Sequence, residues 1–558
     1  MDSQDGSDFD SDNTRKSWIS DKFERQSIDG KIQFVCLSEG CGKTYSRSCS
    51  HLTYRRHWIE HHHEKHSPTN FKFHDEYKID CVIRLIAENR LPFQVIESPS
   101  MKRLFRLTKS RQSLITRQTL SNVLNSKAQQ ILALEHKLIM SQASSICLSF
   151  DIWTPKYALK SWGCIKLHYI SPDYNLKSGL LEFEQVKFPH TGKTIADFIN
   201  TAVERSGISA NVLSITMDNA SNNTNAFEIL SARDRFKDTI HVRCLAHVIN
   251  LGVKSALKVS KNCVSPIKDI VKSISSSPKR EQQFEDIQRD EGQQPRKLIA
   301  DVDHRWNSTF KMLNRAIELR EPIELALNAM PGIKPEEPID WQGAIELCDF
   351  LKVYNDATEL ISGQTYPTIT VVKKLVPLMK ISALSCDSQT LQSAKQELVN
   401  KIAQYEDEIC QDRILIAIAL DPRTKMTGFC EAEKELTTKL LRILTEVPEF
   451  DEPALSGSES NMRNLLFDRH ETADEISRYL TEGVECSDVE ILSFWKSKQR
   501  LFPKLSALAR SYLAIQATSV GCEQTFSLCG LVESPKRCRL SSDSFRCAVI
   551  CSLLKDPE

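Results

Sequence analysis

Two apolar, β-prone runs that each stop at an aspartate constrain this chain more than any other feature: LSFD, ending at Asp151, and LSITMD, ending at Asp218. Such runs put each carboxylate at the end of a strand, while a third acid, Glu523 in SVGCEQTFSLCG, lies in helix-compatible text much later. An Asp where a strand meets a turn is commonly a capping or Asx-turn residue, so neither is informative alone. Together, two strand-borne carboxylates and one helix-borne carboxylate can hold a pair of Mg²⁺ or Mn²⁺ ions about 3.5–4 Å apart, as in-line phosphoryl displacement requires. The expected fold is α/β, and the expected chemistry is metal-dependent phosphoryl transfer on nucleic acid.

A second constellation lies near the N-terminus, CLSEGCGKTYSRSCSHLTYRRHWIEHHHEKH. Cys36 and Cys41 bracket a four-residue knuckle, and a helix is expected to present His57 and His62, giving two thiolates and two imidazoles for tetrahedral Zn²⁺. The pattern resembles a BED-type zinc finger. His61, His63 and His66 compete for the fourth ligand position, because a spacing of about three to five between the histidines is tolerated. So small a unit has almost no core, and the ion would supply its folding energy. Arg47, Arg55 and Arg56 would then be candidates for phosphate or base contacts.

At 558 residues the chain is long enough for three or four domains, and 41% hydrophobic residues can fill their cores. The 18 cysteines are best read as reduced intracellular thiols, since the start MDSQDGSDFD has neither the basic nor the apolar segment of a secretory leader. Apolar runs fall short of the roughly 20 residues needed to cross a bilayer, so no membrane role is expected. Net charge is +0, and charge is segregated instead. The first residues hold Asp2, Asp5, Asp8, Asp10 and Asp12 and read as a disordered acidic tail. Residues 101–140 carry bases that include Arg103, Arg106, Arg111 and Arg117 against a single acid, Glu135, and read as a phosphate-contacting surface.

At several places, in the same order, the text resembles the hAT superfamily of DNA transposases: DIWT and HYI, MDNASNN, RCLAHVINL, DVDHRWNST, ALDPRTK, and the C-terminal FPKLSALARSYLAI, CEQTFS and RCRLSS. The resemblance implies an RNase H-like mixed-sheet catalytic core interrupted by a large all-helical insertion. It implies a division into a disordered acidic tail (1–30), a BED-type finger (31–66) and a helical DNA-binding or oligomerisation segment (67–143). The first part of the core (144–309), the helical insertion (310–489) and a dimerisation region completing the core (490–558) would follow. Strands are expected over 145–153, 163–170, 176–184, 212–217 and 240–244. In the segment before the core, Val82, Leu85 and Ile86 have amphipathic helical spacing, and Pro92 would end that helix.

Within this frame Asp151, Asp218 and Glu523 would be the catalytic acids, with Cys244 and His247 as structural supports. Trp153, Arg305 and Trp306 would face DNA, since an aromatic ring can stack on an unpaired base and Arg305 can neutralise a phosphate. Gln524 stands where the family commonly has Arg, and His304 replaces a frequent Thr. The implied function is cut-and-paste transposition in the nucleus on double-stranded DNA, both element ends and target, by at least a dimer. The alternative is a domesticated DNA-binding regulator that no longer mobilises DNA. The apolar stripe Phe494, Trp495, Leu501, Phe502, Leu505, Leu508 and Tyr512 is the expected self-association surface, with Leu505 as an exposed position in it.

Overall fold

A computed structural model of the chain describes residues 23–28, 31–38, 41–46, 57, 81–86, 91, 93–107, 116–155, 160–208, 211–302, 306–330, 332–333, 335–385, 388–409, 411–446, 474–532 and 541–553. The chain forms two compact units, 1–91 and 92–558.

In the first unit, β1 (Phe23–Ile28), β2 (Lys31–Cys36) and β3 (Thr44–Ser46) form an antiparallel sheet in that order. β1 falls inside the range expected to be tail: Phe23 pairs with Cys36, and its ring is buried with Phe34, Cys41 and Tyr45 packed around it. The helical turn over 81–86 buries Val82, Ile83 and Ile86, whereas Leu85 is 38% exposed. Its apolar face therefore keeps Val82 and Ile86 and is rotated by about 50° from the expected one.

The second unit begins with α1 (Pro99–Leu107) and α2 (Arg117–Gln142). Leu120, Leu124, Ala128, Leu132, His136 and Ile139 recur at helical spacing and form the buried face of α2. A five-stranded mixed sheet follows, from β4 (Ser145–Trp153), β5 (Ser161–Ile170), β6 (Leu176–Val186), β7 (Asn211–Met217) and β8 (Ile240–Arg243). Its order is β6-β5-β4-β7-β8, with the first three strands antiparallel and β7 and β8 parallel to β4. The parallel pairings need crossovers, supplied by α3 (Gly192–Ser206) and α4 (Ser221–Ser231).

Alternation along the strands sorts the two faces. Ile146, Leu148, Phe150, Ile165, Leu167, Ile215 and Met217 join the core under α3 and α4. The opposite face carries Cys147, Ser149 and Asp151 on β4, and Ser214 and Thr216 on β7.

Past β8 the described residues are helical, starting with α5 (Leu245–Val259), α6 (Lys261–Ser275) and α7 (Pro278–Asp290). The helical part thus starts well before Phe310. It continues through α8 (Trp306–Glu318), α9 (Arg320–Ala329), α10 (Trp341–Ile361), α11 (Val372–Ser385), α12 (Gln392–Ile409), α13 (Asp412–Ala419), α14 (Glu431–Glu446) and α15 (Glu475–Thr481). The C-terminal helices are α16 (Ile491–Lys498), α17 (Pro503–Tyr512), α18 (Val520–Val532) and α19 (Ser542–Leu553). Among the described residues no helix is long and apolar enough to cross a membrane.

The stripe expected to mediate self-association is mostly interior. Trp495, Phe502 and Leu505 are fully buried, Tyr512 is nearly so, and only Leu501, at 43%, is exposed. Trp495 donates its Nε1–H to the Leu420 carbonyl at 2.8 Å, and its ring lies 5.1 Å from that of Tyr479. These side chains close the helical core, so Leu505 is not a surface probe. Leu505→Glu is expected to cost at least the 2–5 kcal/mol typical of removing a buried Leu, because the carboxylate would also be buried without a partner. Denaturant melts of the full chain measure it, and a loss under 1 kcal/mol would contradict this packing.

Candidate active site

The strand register brings the first two acids together. Ser149 pairs with Thr216 in the parallel β4–β7 ladder, and two residues further along each strand lie Asp151 and Asp218. Both continue the polar face that faces the C-terminal helices. Asp218 sits where β7 gives way to α4, and its Oδ1 accepts the Ala220 N–H at 2.9 Å and the Asn223 side-chain amide. Asp151 Oδ1 accepts the N–H of Ile152 at 2.8 Å. Asp218 thus has one oxygen fixed by the turn that follows it, whereas Asp151 lies two residues inside β4 rather than at its end and is held by the N–H of the next strand residue.

Glu523 arrives in the first turn of α18, and a buried strap before that helix fixes its position. Residues Leu513 to Ala517 are buried; Thr216 donates its hydroxyl to the Gln516 carbonyl at 2.8 Å, and Leu245 donates its N–H to the Ala517 carbonyl at 3.0 Å. Ala517 N–H donates to Thr368 Oγ1 at 3.1 Å, and Ser519 N–H to Cys244 Sγ at 3.4 Å. The thiol of Cys522, fully buried, then donates to the carbonyls of Ser149 at 3.4 Å and Cys164 at 3.5 Å. Cys522 thus ties the turn that carries Glu523 to both β4 and β5. Gly521 lies in the same close approach: a Cβ there would come 3.2 Å from Lys166 Cδ, a contact the lysine side chain would have to ease.

Electrostatics places the three acids in one neighbourhood. Burial holds the Asp151 carboxyl well above the usual carboxylate range, and Cys522, Asp218 and Glu523 push it further in the same direction. Among the described residues, the one trio of His, Cys, Asp or Glu ligand atoms lying within 4.8 Å of one another is Cys36, Cys41 and His57. Asp151, Asp218 and Glu523 do not form so close a trio, although each of the other two acids acts on Asp151. An all-oxygen donor set of three acids fits a hard divalent cation.

The Asp151 proton gives a test. The unfolded chain releases it near pH 4 and the folded chain only well above that, so the folded state binds the extra proton in between. Stability therefore falls as pH rises through that window. In EDTA, the melting temperature of the wild type is expected to fall more steeply above about pH 4 than that of Asp151→Asn. Added Mg²⁺ should stabilise the wild type only; equal stabilisation of both proteins would place the ion elsewhere.

Around the acids, Trp153 shares the Asp151 face, is half-buried, and stacks on Phe526 of α18 with centroids 5.9 Å apart. Cys244 and His247 lie beside the site: Cys244 N–H donates to the Met217 carbonyl at 2.9 Å, next to Asp218. Burial lifts the Cys244 thiol to about 11 and lowers the His247 imidazole, which Asp218 partly opposes. Trp306 needs correction as a stacking residue. It is 4% exposed within the helical core, so no face of its ring is open to a base. Arg305 lies outside the described residues.

Sequence reading missed Cys522, Gly521, Asn223 and Gln364, whose side-chain amide donates to Gln524 Oε1. The period-2 run Ser149, Asp151, Trp153 was the available signal that one face of β4 meets α18. Gln364, which comes from the turn after α10, left no local signal.

In the first unit, Cys36, Cys41 and His57 converge. Cys41 Sγ is 3.3 Å from His57 Nε2, and His57 is buried with the rings of Phe23 and Tyr45 at 6.0 and 5.3 Å. The knuckle is closed by Cys41 N–H to the Ser38 carbonyl and Cys36 N–H to the Lys43 carbonyl, both at 3.0 Å. Burial raises the Cys36 thiol. Two sulfurs and one imidazole nitrogen fit Zn²⁺. His62, its competitors His61, His63 and His66, and Arg47, Arg55 and Arg56 lie outside the described residues, as do Arg111 and the Arg106 side chain. In the second unit Arg103 on α1 and Arg117 at the start of α2 are exposed.

Three family models match: the ZBED1 RNase-like domain over 149–244, the ZBED1 RNase-like helical domain over 242–344, and the hAT family C-terminal dimerisation region over 475–552. Among curated proteins, the "Putative AC transposase" of Zea mays is 26% identical, covering 73% of this chain and 56% of the relative. The "Putative transcriptional regulator tpeD" of Talaromyces stipitatus is 25% identical, covering 80% and 58%. The Homo sapiens zinc finger BED domain-containing protein 4 is 24% identical, covering 82% and 42%. The chain spans little more than half the length of the first two of these relatives, and less of the third.

Proposed function

We propose that this member of the hAT superfamily is a DNA transposase, which cleaves DNA at element ends and joins the freed 3′-hydroxyls to target DNA. The observation that carries the reading is the approach of Glu523, on a helix fixed by a buried strap, to two aspartates that strand register has already set side by side. A fold needs no such convergence of three acids, because like charge at that place costs stability. The core is read as RNase H-like, with the helical part inserted between Asp218 and Glu523.

Asp151, Asp218 and Glu523 would hold Mg²⁺ or Mn²⁺, which when bound supplies positive charge to the attacking and leaving oxygens of a phosphodiester. The chain's own residues do the rest. Asn223 and the Ala220 N–H orient Asp218, Cys522 orients the helix of Glu523, and the Trp153–Phe526 stack forms an apolar wall beside them. The 31–66 finger, with Arg55 and Arg56, and the 67–143 segment, with Arg103, Arg106, Arg111 and Arg117, are read as the DNA-binding parts. Zn²⁺ would be held by Cys36, Cys41, His57 and one of the following histidines. The dimerisation region supports self-association, and the family supports a nuclear protein.

A second reading, a host regulator that binds DNA without cutting it, is favoured by one feature. Gln524 beside Glu523 is neutral and already engaged by Gln364. A cleavage assay with Mg²⁺ or Mn²⁺, on DNA carrying such terminal inverted repeats as are found to flank the coding sequence, separates the two. Nicking at the repeat ends supports the transposase, and binding without nicking supports the regulator.

A further inference from the structure

α5 starts at the catalytic acids and leads away from them. Its N-terminal cap, Cys244, is hydrogen-bonded to Met217, the residue before Asp218, and His247 one turn later lies close enough to feel the Asp218 charge. Lys254 and Lys258 follow His247 by seven and eleven residues. At 100° per residue each comes within about 20° of the His247 direction, so one face of the helix carries all three. Along the axis they lie about 10 and 16 Å beyond His247. Lys261, which opens α6, follows Lys258 by three residues.

These lysines open a basic stretch of the chain. The chain from Lys254 to Arg280 carries seven bases and one acid, Asp269. Further along the chain several bases are neutralised locally: Arg289 by Glu285 and Asp286, Arg296 by Glu318, Lys297 by Glu281, and Arg320 by Glu324. Lys268 in the basic run itself pairs with Asp301. Among the described residues Lys254, Lys258 and Lys261 make no ion pair, and Lys258 and Lys261 are exposed. A row of unneutralised ammonium groups repels itself, and the polyanion that best relieves it carries regularly spaced charge.

We propose that the face of α5 carrying Lys254 and Lys258, continued by Lys261, docks the phosphate backbone of duplex DNA flanking the bond held at Asp151, Asp218 and Glu523. This rests on the reading of those acids as a phosphoryl-transfer site acting on DNA. The contacts are to phosphates, so they position the duplex without reading its sequence.

The test uses the full chain, a fluorescent duplex of arbitrary sequence, and affinity measured over a series of salt concentrations. Lys254→Gln/Lys258→Gln/Lys261→Gln is compared with Lys311→Gln/Lys352→Gln/Lys439→Gln, which removes equal charge from exposed positions elsewhere. Each phosphate neutralised contributes about 0.9 to the slope of log affinity against log salt, so the first triple is expected to lower the slope by roughly 2–3 and the control by well under 1. Circular dichroism melts verify that both variants fold. A slope unchanged in the first triple, or lowered equally in the control, would overturn the docking face while leaving the catalytic reading intact. The same holds if the loss appears on duplex RNA and not on DNA. A wild type with no salt-dependent affinity for DNA would overturn both.

Discussion

Alanine at Asp151, Asp218 or Glu523, one at a time, is expected to abolish DNA cleavage while leaving DNA binding within a few-fold of wild type. Removing one carboxylate takes away part of the charge that holds the divalent cations. Several kcal/mol of lost transition-state stabilisation is about a thousandfold or more in rate. Binding should survive because the bases assigned to DNA lie on other elements: Arg103 on α1, Arg117 on α2 and the lysine row on α5. Folding should survive too, since Asp151 is destabilised by its neighbours and its removal relieves that repulsion. The measurement is nicking of repeat-end DNA alongside an equilibrium binding assay. Cleavage at the wild-type rate by any one variant removes that residue from the site. If the wild type itself binds repeat ends and never nicks, the chain is the regulator.

How much of this site could be read in advance depended on the physical origin of each signal. The strands were legible because β-branched and apolar runs bounded by turns need no distant partner to be recognised; β4 occupies Ser145–Trp153, the expected 145–153, and β7 adds one residue to the expected 212–217. The placement of Glu523 was legible through resemblance alone. What fixes it, the strap through Ala517 and the Cys522 thiol, consists of contacts between residues hundreds of positions apart, and no local pattern encodes them. The stripe from Phe494 to Tyr512 was misread for a related reason. Amphipathic periodicity identifies a face that must be covered, but an interior helix and an interface helix carry the same pattern. Trp306 failed likewise, because burial of an aromatic depends on what packs over it. The lysine row of α5 was open to a count of charges in the sequence. Its direction, leading away from Asp218, emerges only once β8 and α5 are in place.

The largest expected loss of structure comes from the first unit. Purified protein should carry one Zn²⁺ in its finger, and Cys36→Ser or His57→Ala should each release it and unfold β1, β2 and β3. Among the described residues the apolar interior of this sheet is Phe23 and Cys36, with Phe34, Cys41 and Tyr45 only partly buried around them, so one ligand is also a principal core residue. A unit this small rarely offsets the ordering of its chain by burial alone, whereas structural zinc in small fingers contributes about 10–16 kcal/mol of apparent binding energy at neutral pH. The thiol of Cys36, raised by burial, has to give up its proton to bind the ion, so zinc should also be lost as pH falls and protons compete for the sulfurs. Unfolding would scatter Arg55 and Arg56, and specific binding should weaken far more than binding to arbitrary DNA, since α1, α2 and α5 belong to the other unit. Elemental analysis of the two variants, followed by binding with and without a chelator, decides this. Full zinc content in both variants would mean that other residues hold the metal. Loss of zinc with undiminished specific binding would mean that the finger folds or binds DNA by other means. Single substitutions at His61, His62, His63 and His66 then assign the fourth ligand, the one whose loss lowers zinc affinity as much as His57→Ala.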